Sequence, residues 1–352
     1  MHIQLKEETL MIKSKLINHQ GQAEFGVFPD GVERINYLDF DLRNVMGKPK
    51  GRLAKKLKFN QFQFISFTSE QLMVGLAIVD LKIASNCFIY LYEPKSQRFE
   101  EFTFTNIFAN KTKIEPSPIS GNAYFEKGVN SIEISTSACS QKRTVRVSLK
   151  SGLKIHAEIN ESAHYQPLSV CTRAGFTGFH FTQKSAALWC SGYVEWQGNR
   201  FSLEEINALA SVDWSAGYMR RETCWNWASL ACVLTDGRRL GVNLAAGVVE
   251  TSFTENALWL DGALHKIDMV DFQFQRYSND KSDNKWHLCS NDGKINLTFE
   301  PVGLRQDKTN LLIIATNFTQ HFGRFYGEIR LAKEVIILNG EWGFTEDHYA
   351  KW

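Results

Sequence analysis

Within Asp213-Trp214-Ser-Ala-Gly217-Tyr-Met-Arg220-Arg221-Glu-Thr-Cys-Trp225-Asn226-Trp227 the chain concentrates two carboxyl groups, three indoles and two guanidinium groups. A carboxyl group that burial keeps protonated can give up its proton near neutral pH, and the face of an indole attracts a cation. That combination suits protonation of an alkene: Asp213 is the acid, Trp225 and Trp227 stabilise the carbocation, and water or an internal hydroxyl captures it. In an extended chain Thr223, Trp225, Trp227 and Ser229 share one face. The small Thr223 and Ser229 leave room before the indoles, so both are expected to face the interior of a barrel as a binding wall. Core filling would use the same indoles, and Arg220 and Arg221 would serve equally as solvated charges or as ion-pair partners of Asp213.

The end of the chain, Gly343-Phe-Thr-Glu346-Asp347-His348-Tyr349-Ala-Lys351-Trp352, places an imidazole beside two carboxyl groups. Oriented by Glu346 or Asp347, His348 would act as an acid or base near neutral pH; alternatively the tail docks the last strand. Asn243, Glu255 and Asn256 offer amides and a carboxylate for a polar floor, or local turn bonds. Closing a barrel sets its first strand beside its last, so Asp213 and His348 are expected to meet, as a proton-holding pair or as a plain structural hydrogen bond. The catalytic candidates are therefore Asp213 and His348. The ligand-binding candidates are Trp214, Arg220, Trp225, Asn226, Trp227, Asn243, Glu255, Asn256 and Glu346.

Other chemistries lack their signatures. There is no Gly-x-Gly-x-x-Gly, no Gly-x-x-x-x-Gly-Lys, no His-Glu-x-x-His and no Gly-x-Ser-x-Gly. The nine histidines, His156, His164, His180 and His321 among them, show no metal-ligand spacing. No cofactor and no metal are expected.

These residues must be held by strands. Alternation of period two recurs at Val145, Val147 and Leu149, at Leu153, Ile155, Ala157 and Ile159, and at Ile295, Leu297 and Phe299. Asp-Gly at 30–31, 236–237, 261–262 and 292–293 and Asn-Gly at 339–340 mark hairpin turns. The apolar phase slips between Ile267 and Met269 and Phe272 and Phe274, as at a β-bulge in a curved sheet. Ser202 and Glu205 form a capping box ahead of Leu203, Ile206 and Leu209, which predicts one short connecting helix. No long amphipathic helices alternate with the strands, so the expected class is all-β: two antiparallel, lipocalin-like barrels in tandem, 1–195 and 196–352.

Composition narrows the partners. Forty Lys and Arg against 38 Asp and Glu give a net charge of +2, too balanced overall for a run of phosphates or an anionic bilayer. Nucleic acid is excluded as a partner. No apolar stretch approaches the roughly 20 residues of a spanning helix, so stable membrane insertion is not expected. The start, Met1 to Leu16, has charges where a signal peptide has its apolar core, and the seven cysteines are odd in number and scattered. A cytoplasmic location with reduced thiols follows. The oligomeric state is not written in the sequence.

The run Gly192-Tyr-Val-Glu-Trp-Gln-Gly198-Asn-Arg-Phe, then Asp213-Trp214-Ser-Ala-Gly217, Trp225-Asn-Trp227 and Asp236-Gly237, resembles the hydroxyneurosporene-synthase-like family. With Asn243-Leu-Ala-Ala-Gly247, Glu255-Asn256 and the ending from Phe344 to Trp352, the chain more closely resembles a related family, domain of unknown function 2804. The resemblance implies a tandem of lipocalin-like (calycin) barrels and an apolar ligand. Some relatives hydrate or cyclise isoprenoid double bonds and others are taken as lipid carriers. It also implies Asp213 as the acid, while Trp214 stands where that family often has a histidine or a basic residue. Three functions stay open: an acid-catalysed hydratase or cyclase of an isoprenoid-like substrate, a non-catalytic carrier of a hydrophobic ligand, and a carbohydrate-active β-protein with indole platforms.

Overall fold

The computed structural model describes residues 12–161, 165–248, 253–277, 284–310 and 314–351. The first eleven residues, His164 and Trp352, named above, lie outside them. Among the described residues the fold is all-β: two large sheets, each curled nearly into a barrel, carry almost all of the secondary structure.

The first sheet has 14 strands. Its main path runs from Arg98–Ile107 through Ala84–Glu93, Met73–Asp80 and Asn60–Thr68 to Leu209–Gly217, then by Gly178–Trp196 and Lys154–Asn160 to Thr112–Ile114. Its two ends approach one another: Asn106 Nδ2 donates to the Glu126 carbonyl at 3.0 Å and Lys127 Nζ to the Thr105 carbonyl at 2.7 Å. Alternation explains the interior. Ile132, Ile134, Val145, Val147, Ile155 and Ala157 point inward and pack with Ile65, Leu76 and Ile89 from the other side.

The second sheet has nine strands, in the order Ala263–Lys266, Ala257–Leu260, Arg239–Ala246, Glu222–Val233, Val335–Lys351, Ala315–Arg330, Ile295–Asn310, Trp286–Ser290 and Val270–Gln273. Leu230, Val242, Leu244, Leu288, Ile295 and Leu297 fill it. Its two edge strands are consecutive in the chain, so residues 267–269 form the seam at which this barrel nearly closes. The phase slip expected as a bulge is this seam: the chain leaves one edge and starts the other. Asn256 clasps it, accepting from Ala245 N–H at 2.6 Å and donating to the Asp268 carbonyl at 2.8 Å, which gives Asn256 a structural task.

Three further expectations are corrected. Ser202 does cap, its Oγ accepting from Glu205 N–H at 3.4 Å, but only one turn forms and Asn207 ends it with a φ of 52°. Leu203 and Ile206 are buried there without a helix, and among the described residues the α-helix is Arg52–Lys58. The passage between sheets falls at 218–221 rather than at 195/196, because Asn199–Ser202 and Leu209–Gly217 both pair with Gly178–Trp196 in the first sheet. Asn339-Gly340 is not a hairpin but an extra residue inside Val335–Lys351, where Phe325 faces Glu341 and Tyr326 faces Asn339. The Asp-Gly pairs at 236–237, 261–262 and 292–293 do join neighbouring antiparallel strands.

The outer face of each sheet packs on the other. Phe64, Met73, Tyr90 and Tyr92 of the first meet Phe322, Trp342 and Phe344 of the second. Close approach needs Gly241, since a Cβ there would lie 2.7 Å from that of Ala186.

Candidate functional site

Polar side chains gather in the layer between the sheets. On the first sheet, Lys184 lies directly across from Asp213, and Asp213 across from Phe64. The Asp213 carboxylate accepts from Lys184 Nζ at 2.5 Å, Ser215 Oγ at 3.0 Å and Thr182 Oγ1 at 3.3 Å. Lys184 also stands 3.3 Å from Glu255, and both are buried. One ammonium thus serves two carboxylates. Desolvation opposes the charge on Lys184, but Asp213 and Glu255 together win and raise its pKa. His180, four residues from Lys184 on the same face, is buried with Nδ1 unpartnered, and desolvation lowers its pKa.

The second sheet meets this face with a cross-strand row: Arg305 pairs with Gln320, Gln320 with Glu346, and Glu346 with Trp227. Gln320 Nε2 donates to Glu346 Oε1 at 2.7 Å. Glu346 keeps part of its surface open, yet desolvation pushes its carboxyl up to about 7. Arg305, the Trp225 indole and Lys184 pull the other way, and Asp213 reinforces the rise. Trp227 Nε1 donates to Asn243 Oδ1 at 2.9 Å, and Asn243 Nδ2 to the Glu255 carbonyl at 2.7 Å. Arg305 is buried, bonded to Glu101 of the first sheet at 2.7 and 3.0 Å, with its guanidinium 4.2 Å from the Phe88 ring and 4.6 Å from that of Phe318.

A small crevice lies at the centre, lined by Phe64, Ser211, Asp213, Trp227, Ser229 and Asn243 among others. It holds about 10 Å³, scarcely one water.

Of the residues singled out in the sequence, the fold brings Asp213, Trp225, Trp227, Asn243, Glu255 and Glu346 into this layer. Trp225 and Trp227 share a face, but that face looks at the first sheet; Ala228 and Leu230 take the interior of their own barrel. Alternation tells which residues go together and not which way they face. Trp227 is stacked on Phe344 and edge-on to Phe64, so it is no open platform. Trp214 is buried in the first core beside Phe181. Asn226 lies on the opposite face, donating to Asp347 Oδ1 at 3.0 Å, and Arg220 Nη2 reaches the Gly247 carbonyl at 3.5 Å.

No hydrogen bond joins Asp213 to His348. The register sets His348 against Trp225, whose ring centroid is 4.1 Å away, and its Nε2 meets Thr316 Oγ1 at 3.0 Å. Desolvation, helped by Arg305, lowers the imidazole to about 3. Asp213 reaches the layer beside Trp227 instead, two residues along that strand.

Lys184, His180, Gln320, Arg305 and Tyr90 were not singled out. His180, Thr182 and Lys184 alternate with core-facing Phe179 and Phe181, a pattern that reads equally as a solvated face. Gln320 and Arg305 carry no local signal. Among the described residues no cluster of His, Cys, Asp and Glu is arranged to hold a metal.

Two curled antiparallel sheets, packed face to face around a buried layer of ionisable and aromatic groups, define an all-β, two-barrel protein. The chain belongs to the family described as domain of unknown function (DUF2804), which matches residues 7–352. No curated protein matches it in sequence. Solved structures that share the fold include the following three. A Nitrosomonas europaea protein assigned to AttH is 10% identical, with a TM-score of 0.50 over 82% of this chain and 91% of that one. Kievitone hydratase from Nectria haematococca is 9% identical, with a TM-score of 0.50 over 83% and 89%. CghA with Sch210972 is likewise 9% identical, at 0.50 over 83% and 88%.

Proposed function

We propose that the layer between the sheets is an acid-catalysis site for a lipophilic, alkene-bearing small molecule, of the hydratase or cyclase kind, with Glu346 as the proton donor. Glu346 carries this reading: a carboxyl pushed up to about 7 by desolvation, set among indoles, keeps its proton available near neutral pH. The proton of Glu346 goes to one alkene carbon and the π pair becomes the new C–H bond. The cation left on the other carbon faces Trp225 and Trp227 and a group of net negative charge, Asp213 and Glu255 against Lys184. Water then forms the C–O bond and its proton returns to Glu346. An internal hydroxyl in place of water closes a ring.

Desolvation keeps Glu346 protonated here, Asp213 adds to that rise, and His348 serves as neutral wall. Entry of a substrate requires Trp227 and Phe64 to part, since the crevice is closed. The shared fold with a hydratase supports the reaction class. In the same reading the two sheets are the two domains, and the seven unpaired cysteines support a cytoplasmic setting.

The ion pair of Asp213 with Lys184 favours a second reading, a carrier that holds its ligand in the layer without chemistry. Native mass spectrometry of freshly purified protein, before and after Glu346→Gln, separates the two. Co-purified hydrophobe in both forms, with a hydrated or cyclised product only from the parent protein, is the outcome expected of the enzyme. A ligand unchanged in both forms leaves the carrier, and no ligand from any lipid extract removes both.

A further inference from the structure

The helix Arg52–Lys58 buries none of its residues, so packing against either sheet does not explain it. Leu53 and Leu57, one turn apart, are 70% and 46% exposed. Arg52 and Lys56 flank that stripe on one side and Lys58 on the other, while Lys55 turns back to donate to the Leu38 carbonyl at 3.0 Å. Just before the helix, Arg43 and Pro49 bridge a tight loop that raises Val45 and Met46, 69% and 85% exposed, at its tip. Asn44 Oδ1 fixes that tip by accepting from Met46 N–H at 3.0 Å and Lys48 N–H at 2.9 Å. Residues 45–58 hold six Lys and Arg and no Asp or Glu. Among the described residues, no ion pair engages Lys48, Lys50, Arg52, Lys56 or Lys58. The overall charge of +2 hides this local concentration.

We propose that residues 45–58 form a peripheral docking surface for an anionic lipid bilayer, with Leu53, Leu57, Val45 and Met46 entering the headgroup boundary and the surrounding cations meeting lipid phosphate and carboxylate groups. Exposed apolar side chains flanked by cations are what an interfacial segment requires. A nucleic acid backbone would use the cations and leave the leucines without a role. The surface is independent of the chemistry in the layer between the sheets.

Flotation of the full chain with phosphatidylcholine vesicles, with and without phosphatidylserine, tests it. Binding is expected only with phosphatidylserine, weakening as salt rises. Lys56→Gln and Lys58→Gln should each lower partitioning about five-fold, from roughly 1 kcal/mol per cation at such a surface. Leu53→Glu with Leu57→Glu should lower it at least as much as both neutralisations together, with an unchanged melting temperature because both positions are exposed. Failure of the parent protein to float with phosphatidylserine vesicles overturns the proposal. So does undiminished flotation of the leucine variant, or tight binding of a duplex oligonucleotide that the leucine variant retains.

Discussion

The last strand serves two environments in turn. Ile336 and Leu338 point into the second barrel, whereas Trp342 and Phe344 point into the layer against the first. All four positions are even-numbered, and the extra residue at Gly340 reverses the face between them. Past that bulge the strand changes material, from aliphatic side chains to Trp342, Phe344, Glu346 and His348. Both environments are largely withdrawn from water, but the barrel interior is filled by groups that need no partners. The layer holds Asp213, Lys184, Glu255, Glu346 and Arg305, each of which must find one. A barrel exterior buried by a second barrel is thus a place where charges can be desolvated without interrupting either core.

The layer and the barrel interior differ most at Lys184. Lys184→Met leaves buried Glu255 and half-buried Asp213 without their shared ammonium, and should cost about 3–5 kcal/mol in urea unfolding. Ile295→Val, equally buried in the barrel interior, should cost about 0.5–1.5 kcal/mol. Adding Asp213→Asn and Glu255→Gln to Lys184→Met should recover part of the loss; no recovery would mean that the lysine acts through its packing.

Within the layer, two titratable groups respond to pH with opposite sign. Glu346 is raised from 4.5 to about 7, so its protonated form is favoured on folding. Stability from this source is full below pH 4.5 and is lost as pH rises through 7, by at most about 3 kcal/mol. Glu346→Gln should therefore be more stable than the parent above pH 7 and close to it near pH 4. His348 has the opposite sign. It is lowered from 6.5 to about 3, so its contribution is present above 6.5 and lost on acidification towards 3. His348→Phe should flatten the acid limb of the stability curve and leave the neutral region alone. Thermal unfolding across the pH range reads both.

The barrel walls were legible because alternation of Val145, Val147, Ile155 and Ala157 repeats what each inward position demands. The layer was legible in part. Trp225, Trp227 and Glu346 stand out as residue types, but strand order within the second sheet sets Arg305 and Gln320 beside Glu346, and only the packing of one sheet on the other brings Asp213 near Trp227. The side on which the indoles face was not legible, since a period of two fixes companionship and not direction. Asn339-Gly340 misled for a related reason: a residue pair suited to a hairpin also suits a bulge, and nothing local distinguishes them. Ser202 gave a true cap, and Asn207 cut the helix to one turn.

The smallest expected effect separates packing from polarity within the layer itself. Trp227 contributes a ring, stacked on Phe344 and edge-on to Phe64, and one donor, Nε1 to Asn243 at 2.9 Å. Trp227→Phe keeps an aromatic ring in place and removes the donor, so Asn243 Oδ1 loses its partner while its Nδ2 still holds the Glu255 carbonyl. A neutral hydrogen bond of this kind is worth about 1 kcal/mol net, and a buried acceptor left unpaired costs about 1–3 kcal/mol. Pairing the change with Asn243→Leu forms a double-mutant cycle in which both partners are gone. If the indole acts through its hydrogen bond, the second substitution should cost less in Trp227→Phe than in the parent protein, by about 1 kcal/mol. If the two changes simply add, the indole acts through its ring, and this part of the layer is packed by the same rules as the barrel interiors.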